Sequence, residues 1–361
     1  MNYLVHKPAH APFSVPSNKE LAFRVCKFFA MYRKEKPLIL KSSASSLTNN
    51  LSVLVALDKG VLNYAVVHKA VVNIISASTD GATVNSRNIV CKEPSAAQQS
   101  TPMIIQAKWV CLPTRTVFVL TSLKGIQMFE SDGSAMIYWH ALGDINSTDI
   151  LEHANFGRGV TGIGENFICI GTQLGEIHVF NVPAKGTNVT LKESLIGHRY
   201  PICDLASSGN KMVSSDEQGN IIVWSLSGTT FKQTHSITGS GSPCSSIFLW
   251  KNVIIAGFGN GQIRLYCADT GKLGAEVNAH ARWITALDVA TDNGMLLSVS
   301  GDSYVRVWQL KEGNPMPEIE YLSQECVSDQ QLVGVQFLHP QGRAFCTTGY
   351  DSCDLSFYVQ S

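Results

Sequence analysis

Asp302-Ser303-Tyr304-Val305-Arg306-Val307-Trp308 reads as a turn followed by a strand of alternating apolar residues that ends in an aromatic. The same pattern recurs upstream as Gly261-Gln262-Ile263-Arg264-Leu265-Tyr266 and Gly219-Asn220-Ile221-Ile222-Val223-Trp224. The closing aromatics Trp224, Tyr266 and Trp308 follow one another at intervals of 42 residues. Weaker copies end at Phe180, Phe129 and Phe357.

A period of about 40–45 residues, each holding four short strands, is the mark of a propeller blade. The copy around Trp308 supplies all four: Trp283 to Val289, Met295 to Ser300, Tyr304 to Leu310, and Glu318 to Leu322. The copy around Trp224 does the same from Pro201 to Ile237. Third strands near Val71–Ser76, Gly125–Phe129, Gly175–Phe180, Gly219–Trp224, Gly261–Tyr266, Tyr304–Trp308 and Asp354–Tyr358 give seven blades. The first two are the least regular, which leaves six or eight as alternatives. The chain stops at Ser361, just after the seventh third strand, so that blade is one strand short. The apolar run Pro37-Leu38-Ile39-Leu40-Lys41 is the natural missing strand. Pairing it into the last blade closes the ring and removes an exposed edge. The expected fold is therefore all-β, a seven-bladed propeller over residues 37–361, closed by an N-terminal strand.

Composition agrees. The 361 residues carry 28 Lys+Arg against 28 Asp+Glu, and charged residues make up 16%. About 25% is usual for a soluble domain, so much of this chain should be buried on both faces. Balanced charge argues against nucleic-acid binding through a general basic field. No apolar run is long enough to span a membrane. Ten cysteines include no Cys-x-x-Cys pair, so zinc-ligand spacing is absent, and without a secretory signal the expected compartment is the cytoplasm.

Residues 1–36 form a separate N-terminal extension on this reading. Met1 to Pro16 reads as disordered. Ser17 to Lys36 reads as a short basic helix, with Leu21, Val25, Phe28, Phe29 and Tyr32 on one side. Two roles are open for residues 17–36: a loosely packed extension or alternative start at Met31, which is favoured, and an amphipathic contact with a vesicle or membrane surface.

Gly197-His198 followed by Trp224, and His280 followed by Trp308, resemble the signatures of the WD-repeat (WD40) propeller family. In that family a histidine before the first strand, a serine or threonine on the second, an aspartate in the next turn and a tryptophan on the third form a hydrogen-bonded set. The resemblance implies a complete set at His280, Ser298, Asp302 and Trp308. It implies a partial one at His198, Ser214 and Trp224, where Gln218 stands in the aspartate's place, and another at Thr347 and Asp351, with Phe357 in the tryptophan's place. Such sets leave no buried N–H unpaired.

Catalytic signatures are missing. There is no Gly-x-Ser-x-Gly elbow, no Gly-x-x-x-x-Gly-Lys phosphate loop and no His-Glu-x-x-His. Gly257-Phe258-Gly259-Asn260-Gly261 has neither the spacing nor the following helix of a nucleotide loop. His198 and His280 fall at repeat positions and read as structural. The expectation is thus a non-enzyme without cofactor or metal, a protein-binding scaffold that assembles signalling or trafficking complexes, and a monomer with self-association left open. Its contacts should lie on the narrow face, where the repeat register places Arg158, Tyr200, Ser242, Arg282 and Gln330 in successive blades, with Arg199 and Trp283 adjoining. Receptors for cullin ligases carry Trp-Asp-x-Arg at a repeat end, whereas here Trp308 is followed by Gln309 and Trp224 by Ser225. A ubiquitin-ligase adaptor is therefore the second reading, and a peripheral vesicle adaptor the third.

Overall fold

The computed structural model describes residues 32–56, 60–91, 103–142, 156–313 and 316–361. Seven four-stranded antiparallel sheets follow one another along the chain. The ring opens with β1 (Tyr32–Ile39), which belongs to the last sheet. Blade one holds β2 (Ser52–Ala56), β3 (Val61–His68), β4 (Val71–Ser78) and β5 (Val84–Val90). Blade two holds β6 (Ile104–Cys111), β7 (Thr116–Ser122), β8 (Gly125–Glu130) and β9 (Met136–Ala141). Blade three holds β10 (Gly157–Ile163), β11 (Phe167–Thr172), β12 (Glu176–Asn181) and β13 (Thr190–Ile196). Blade four holds β14 (Ile202–Ser208), β15 (Lys211–Asp216), β16 (Ile221–Ser227) and β17 (Thr230–Ile237). Blade five holds β18 (Cys244–Trp250), β19 (Val253–Phe258), β20 (Gln262–Cys267) and β21 (Leu273–Asn278). Blade six holds β22 (Ile284–Ala290), β23 (Met295–Ser300), β24 (Tyr304–Lys311) and β25 (Glu318–Cys326). Blade seven holds β26 (Leu332–Phe337), β27 (Ala344–Gly349) and β28 (Asp354–Gln360).

The apolar core sits between blades. Leu297, Val299, Val305 and Val307 of blade six pack with Leu332, Val335, Phe337 and Phe345 of blade seven. Each middle strand therefore has two buried faces, and β19 and β23 are buried at every position. This is why charged residues are scarce: a strand sandwiched on both sides has no polar face to carry them.

The closing strand is confirmed and lengthened. β1 pairs antiparallel with β28 from Tyr32 opposite Gln360 to Ile39 opposite Asp354. The expected boundary at residue 36/37 thus moves: Tyr32 to Lys36, read as the end of a helix, are strand. Tyr32 decides this. Its ring stands edge-on to Phe345 at 4.8 Å, and its hydroxyl donates to the Gly342 carbonyl at 2.6 Å. Arg33, Lys34 and Lys36 are exposed along an outer edge strand, and their run of polar residues has the look of a helical face in the sequence. The remainder of the expected basic helix, 17–31, lies outside the described residues.

Candidate functional site

In six blades the first strand carries a register irregularity near its start, between Ile104/Gln106, Arg158/Val160, Ile202/Asp204, Cys244/Ser246, Ile284/Ala286 and Leu332/Gly334. These strands line the hub with one edge unpaired, and a buried unpaired N–H needs an acceptor. The acceptors come from the neighbouring blade. The side chain of Ser52 accepts from Trp109 N–H at 3.1 Å, Gln106 from Gly159 N–H at 2.9 Å, and Asp204 from Ile247 N–H at 3.1 Å. Ser246 accepts from Leu287 N–H at 3.1 Å, Asp288 from Phe337 N–H at 2.6 Å, and Gln336 from Val53 N–H. Among the described residues six of the seven junctions are linked this way; the third and fourth blades meet through Thr161 and Ser207 hydroxyls at 2.8 Å.

A cavity of about 100 Å³ remains at the hub, lined among others by Gln106, Lys108, Asp204, Ser246, Asp288 and Gln336. Its upper end is filled by the loop between β1 and β2. Asn49 donates from its backbone to Thr285 and from its side chain to Asp204, and accepts from Ser246. Asn50 O accepts from Thr348, and Thr48 accepts from Arg158. The sequence reading missed this hub. Its signal was a polar residue inside each otherwise apolar first strand, such as Asp288 within Ile284–Ala290.

Burial pushes the Asp288 carboxyl up to about 7, against the pull of the Phe337 and Val289 N–H groups and Lys108. A carboxyl raised on folding favours the folded state at low pH and loses that contribution as pH rises through its folded value. We expect Asp288→Asn, which keeps an acceptor for Phe337, to gain stability relative to wild type as pH rises from about 4 to about 7, and to hold the gain above. Thermal melts of both proteins across that range check this; a constant difference contradicts it.

The hydrogen-bonded set of blade six forms as expected. Trp308 Nε1 donates to Ser298 Oγ at 2.9 Å, Ser298 Oγ lies 2.8 Å from His280 Nε2, and His280 Nδ1 lies 3.0 Å from both Asp302 oxygens. This fixes a relay in which the serine hydroxyl donates to Nε2 and Nδ1–H donates to the carboxylate. Burial holds His280 below the usual imidazole value. Burial pushes the Asp302 carboxyl up, but the His280 hydrogen bond and charge outweigh it and leave Asp302 well below the carboxylate range.

Blade four carries the same set, with a correction. Trp224 Nε1 donates to Ser214 Oγ at 2.9 Å, and Ser214 meets His198 Nε2 at 2.7 Å. The carboxylate is Asp216, 2.9 Å from His198 Nδ1. It also accepts from Gln218 N, Asn220 N and Asn220 Nδ2. Gln218 does stand at the turn position of Asp302, and the two turns are of equal length, but the carboxylate that reaches the histidine comes from the last residue of β15, two positions earlier. In blade seven the expected pair separates. Thr347 is buried and hydrogen-bonded to Tyr358, whereas Asp351 is exposed and accepts from Ser43 at 3.0 Å. The tryptophan's place is taken by Tyr358, opposite Phe345, and not by Phe357, because the preceding turn is one residue longer than that of blade six.

The face that carries His198 and His280 bears the loops before each first strand. It does not treat the rim residues alike. Arg158 turns inward to Thr48, and Gln330 packs over Gly349. Tyr200 and Trp283 stay 45% and 42% exposed, each beside an exposed arginine, Arg199 and Arg282. Trp283 also lies against blade five, where a Cβ at Gly259 would sit 3.0 Å from its indole. Among the described residues no group of three or more His, Cys, Asp or Glu side chains converges on a point. No described helix is long and apolar enough to cross a membrane.

A ring of seven such sheets with two His–Ser–Trp–Asp relays defines a WD-repeat propeller, a class that typically serves as a protein-binding platform. The WDR54 family model matches residues 31–360. The chain is 43% identical over 337 residues to WD repeat-containing protein 54 of Mus musculus, covering 90% of this chain and 98% of that one, and 42% identical over 335 residues to the Homo sapiens protein at the same coverage. It belongs to the WDR54 family. Among solved structures, a chain of the mitotic checkpoint complex superposes with a TM-score of 0.70 at 15% identity, covering 99% of this chain and all of that one. The RRP9 WD40 repeats give 0.68 at 14% identity, covering 91% of this chain and all of that one. These two establish likeness of fold.

Proposed function

We propose that this propeller is a non-catalytic, cytoplasmic scaffold that assembles signalling or trafficking complexes through the face bearing Arg199, Tyr200, Arg282 and Trp283. One observation carries the reading: two large aromatics stay about half exposed beside exposed arginines, while Arg158, His198 and His280 of the same face are engaged in holding the ring together. Exposed aromatic–Arg pairs are the residues that dominate binding energy at protein interfaces. The relay histidines and the hub carboxylates are committed to structural hydrogen bonds, so the same reading assigns them no catalytic part.

Proximity labelling in cells tests it. With Tyr200→Ala plus Trp283→Ala we expect loss of a discrete set of neighbours and a melting temperature close to wild type. An unchanged neighbour list refutes the proposal. A wild-type list dominated by cullin adaptors selects the ubiquitin-ligase reading instead.

A further inference from the structure

We infer that the surface of blades four and five between Tyr200 and Trp283 is a docking saddle for an acidic, extended segment of a partner protein; this rests on the platform reading above and specifies its ligand. Tyr200 precedes β14 of blade four and Trp283 precedes β22 of blade six, so the two aromatics are posts with the turns of blades four and five between them. The floor between them is the connector Gly239-Ser240-Gly241-Ser242 and the turn Phe258-Gly259-Asn260-Gly261. Phe258 is buried, so the exposed floor consists of Gly, Ser and Asn.

That floor is continuous. Gly239 N–H donates to Asn220 at 2.9 Å, and Gly241 N–H to the Gln218 carbonyl at 3.1 Å. Asn260 N–H donates to Ser242 Oγ at 3.1 Å. A Cβ at Gly219 would lie 2.4 Å from the Ser242 carbonyl, and Gly259 lies under Trp283. The floor thus runs unbroken from the blade-four turn to the indole, and its small residues leave a shallow path for an extended ligand between two apolar anchors.

Charge sets the ligand's sign. The arginines around the saddle that are already committed have visible partners: Arg264 pairs with Glu276 at 2.7 Å and donates to Ser240, Arg306 pairs with Asp302, and Arg158 bonds Thr48. Arg199 and Arg282, one beside each post, form no ion pair with a described residue. Two nearby acids are spent, Asp216 on His198 and Asp302 on His280. Two exposed guanidinium groups without ion-pair partners match carboxylates. Two charges on a chain of zero net charge are too few to hold a phosphate backbone or a lipid surface by field alone.

The test selects short randomised peptides on the full-length chain by display and measures fluorescein-labelled winners by anisotropy. We expect enrichment of Asp and Glu around apolar positions, with binding that weakens as salt rises. Arg199→Glu, Arg282→Glu and Trp283→Ala should each weaken it by roughly tenfold or more. Arg199→Gln plus Arg282→Gln serves where charge reversal lowers the melting temperature. No enrichment, enrichment without acids, equal binding to the arginine variants, or binding to phosphatidylserine vesicles in place of peptides each overturns the inference. If cellular neighbours depend on Tyr200 and Trp283 but not on Arg199 and Arg282, the platform stands and the acidic saddle falls. If acidic peptides bind the saddle while the neighbour list ignores Tyr200 and Trp283, the saddle stands and the platform reading falls.

Discussion

A chain that begins at Lys41 is expected to give no cooperative melt, or to assemble into larger species through the edge it uncovers. Removing β1 exposes the whole ladder of β28 from Asp354 to Gln360, and an unpaired edge is a template for pairing with another chain. It also strips the cover from Phe345 and Tyr358, whose rings stack at 4.7 Å beneath Tyr32. A single substitution should reveal the same dependence. Tyr32→Ala leaves the Gly342 carbonyl without its donor and a void beside Phe345, at a cost of about 3–5 kcal/mol, as for other buried aromatics. Tyr32→Phe keeps the ring and loses only the hydroxyl, costing about 1 kcal/mol. Thermal and denaturant melts rank the three proteins. A stable monomer from the truncated chain, or a Tyr32→Ala protein that melts with the wild type, sinks the clasp.

The second expected effect separates Asp216 from Gln218. Asp216→Ala removes one carboxylate that serves His198, two backbone N–H groups and the Asn220 amide. Leaving several buried donors without an acceptor should destabilise the protein by about 3–5 kcal/mol, the range seen when one member of a buried pair is deleted. Gln218→Ala should cost less than about 0.5 kcal/mol, since its exposed side chain bonds nothing that holds the blade. Asp302→Ala in blade six is the reference, because its position in the turn follows the family pattern. Equal effects of Asp216→Ala and Gln218→Ala would contradict the assignment.

These two predictions fall where reading from sequence and reading from structure part. Period and alternation located every blade, because four short strands repeated at a near-constant interval have one compact solution. Family spacing then failed by one or two residues in two turns. It pointed to Gln218 where Asp216 acts, and to Phe357 where Tyr358 sits. In blade seven the turn gains a residue without disturbing the strands it joins, so distance along the chain stops tracking position in space there; in blade four the turn keeps its length and the carboxylate is supplied from the end of β15 instead. Tyr32 to Lys36 failed for another reason. An edge strand with one solvated side carries a polar pattern too short to tell from a helix turn.

The amino-acid sequence by itself determined the seven-fold strand repeat, the scarcity of charge, the need for a closing strand and the blade-six relay, since each rests on local pattern or on spacing within one repeat. Only the tertiary structure decided the hub and which rim residues stay exposed. Ser52, Gln106, Asp204, Ser246, Asp288 and Gln336 serve the N–H groups of neighbouring blades. Asn49 meets Asp204 across 155 residues of chain. Which of the rim arginines stays free likewise depends on contacts far away in sequence, as Arg158 reaching Thr48 shows. Closing the ring brings these residues together, and no local propensity encodes a partner that arrives from another blade.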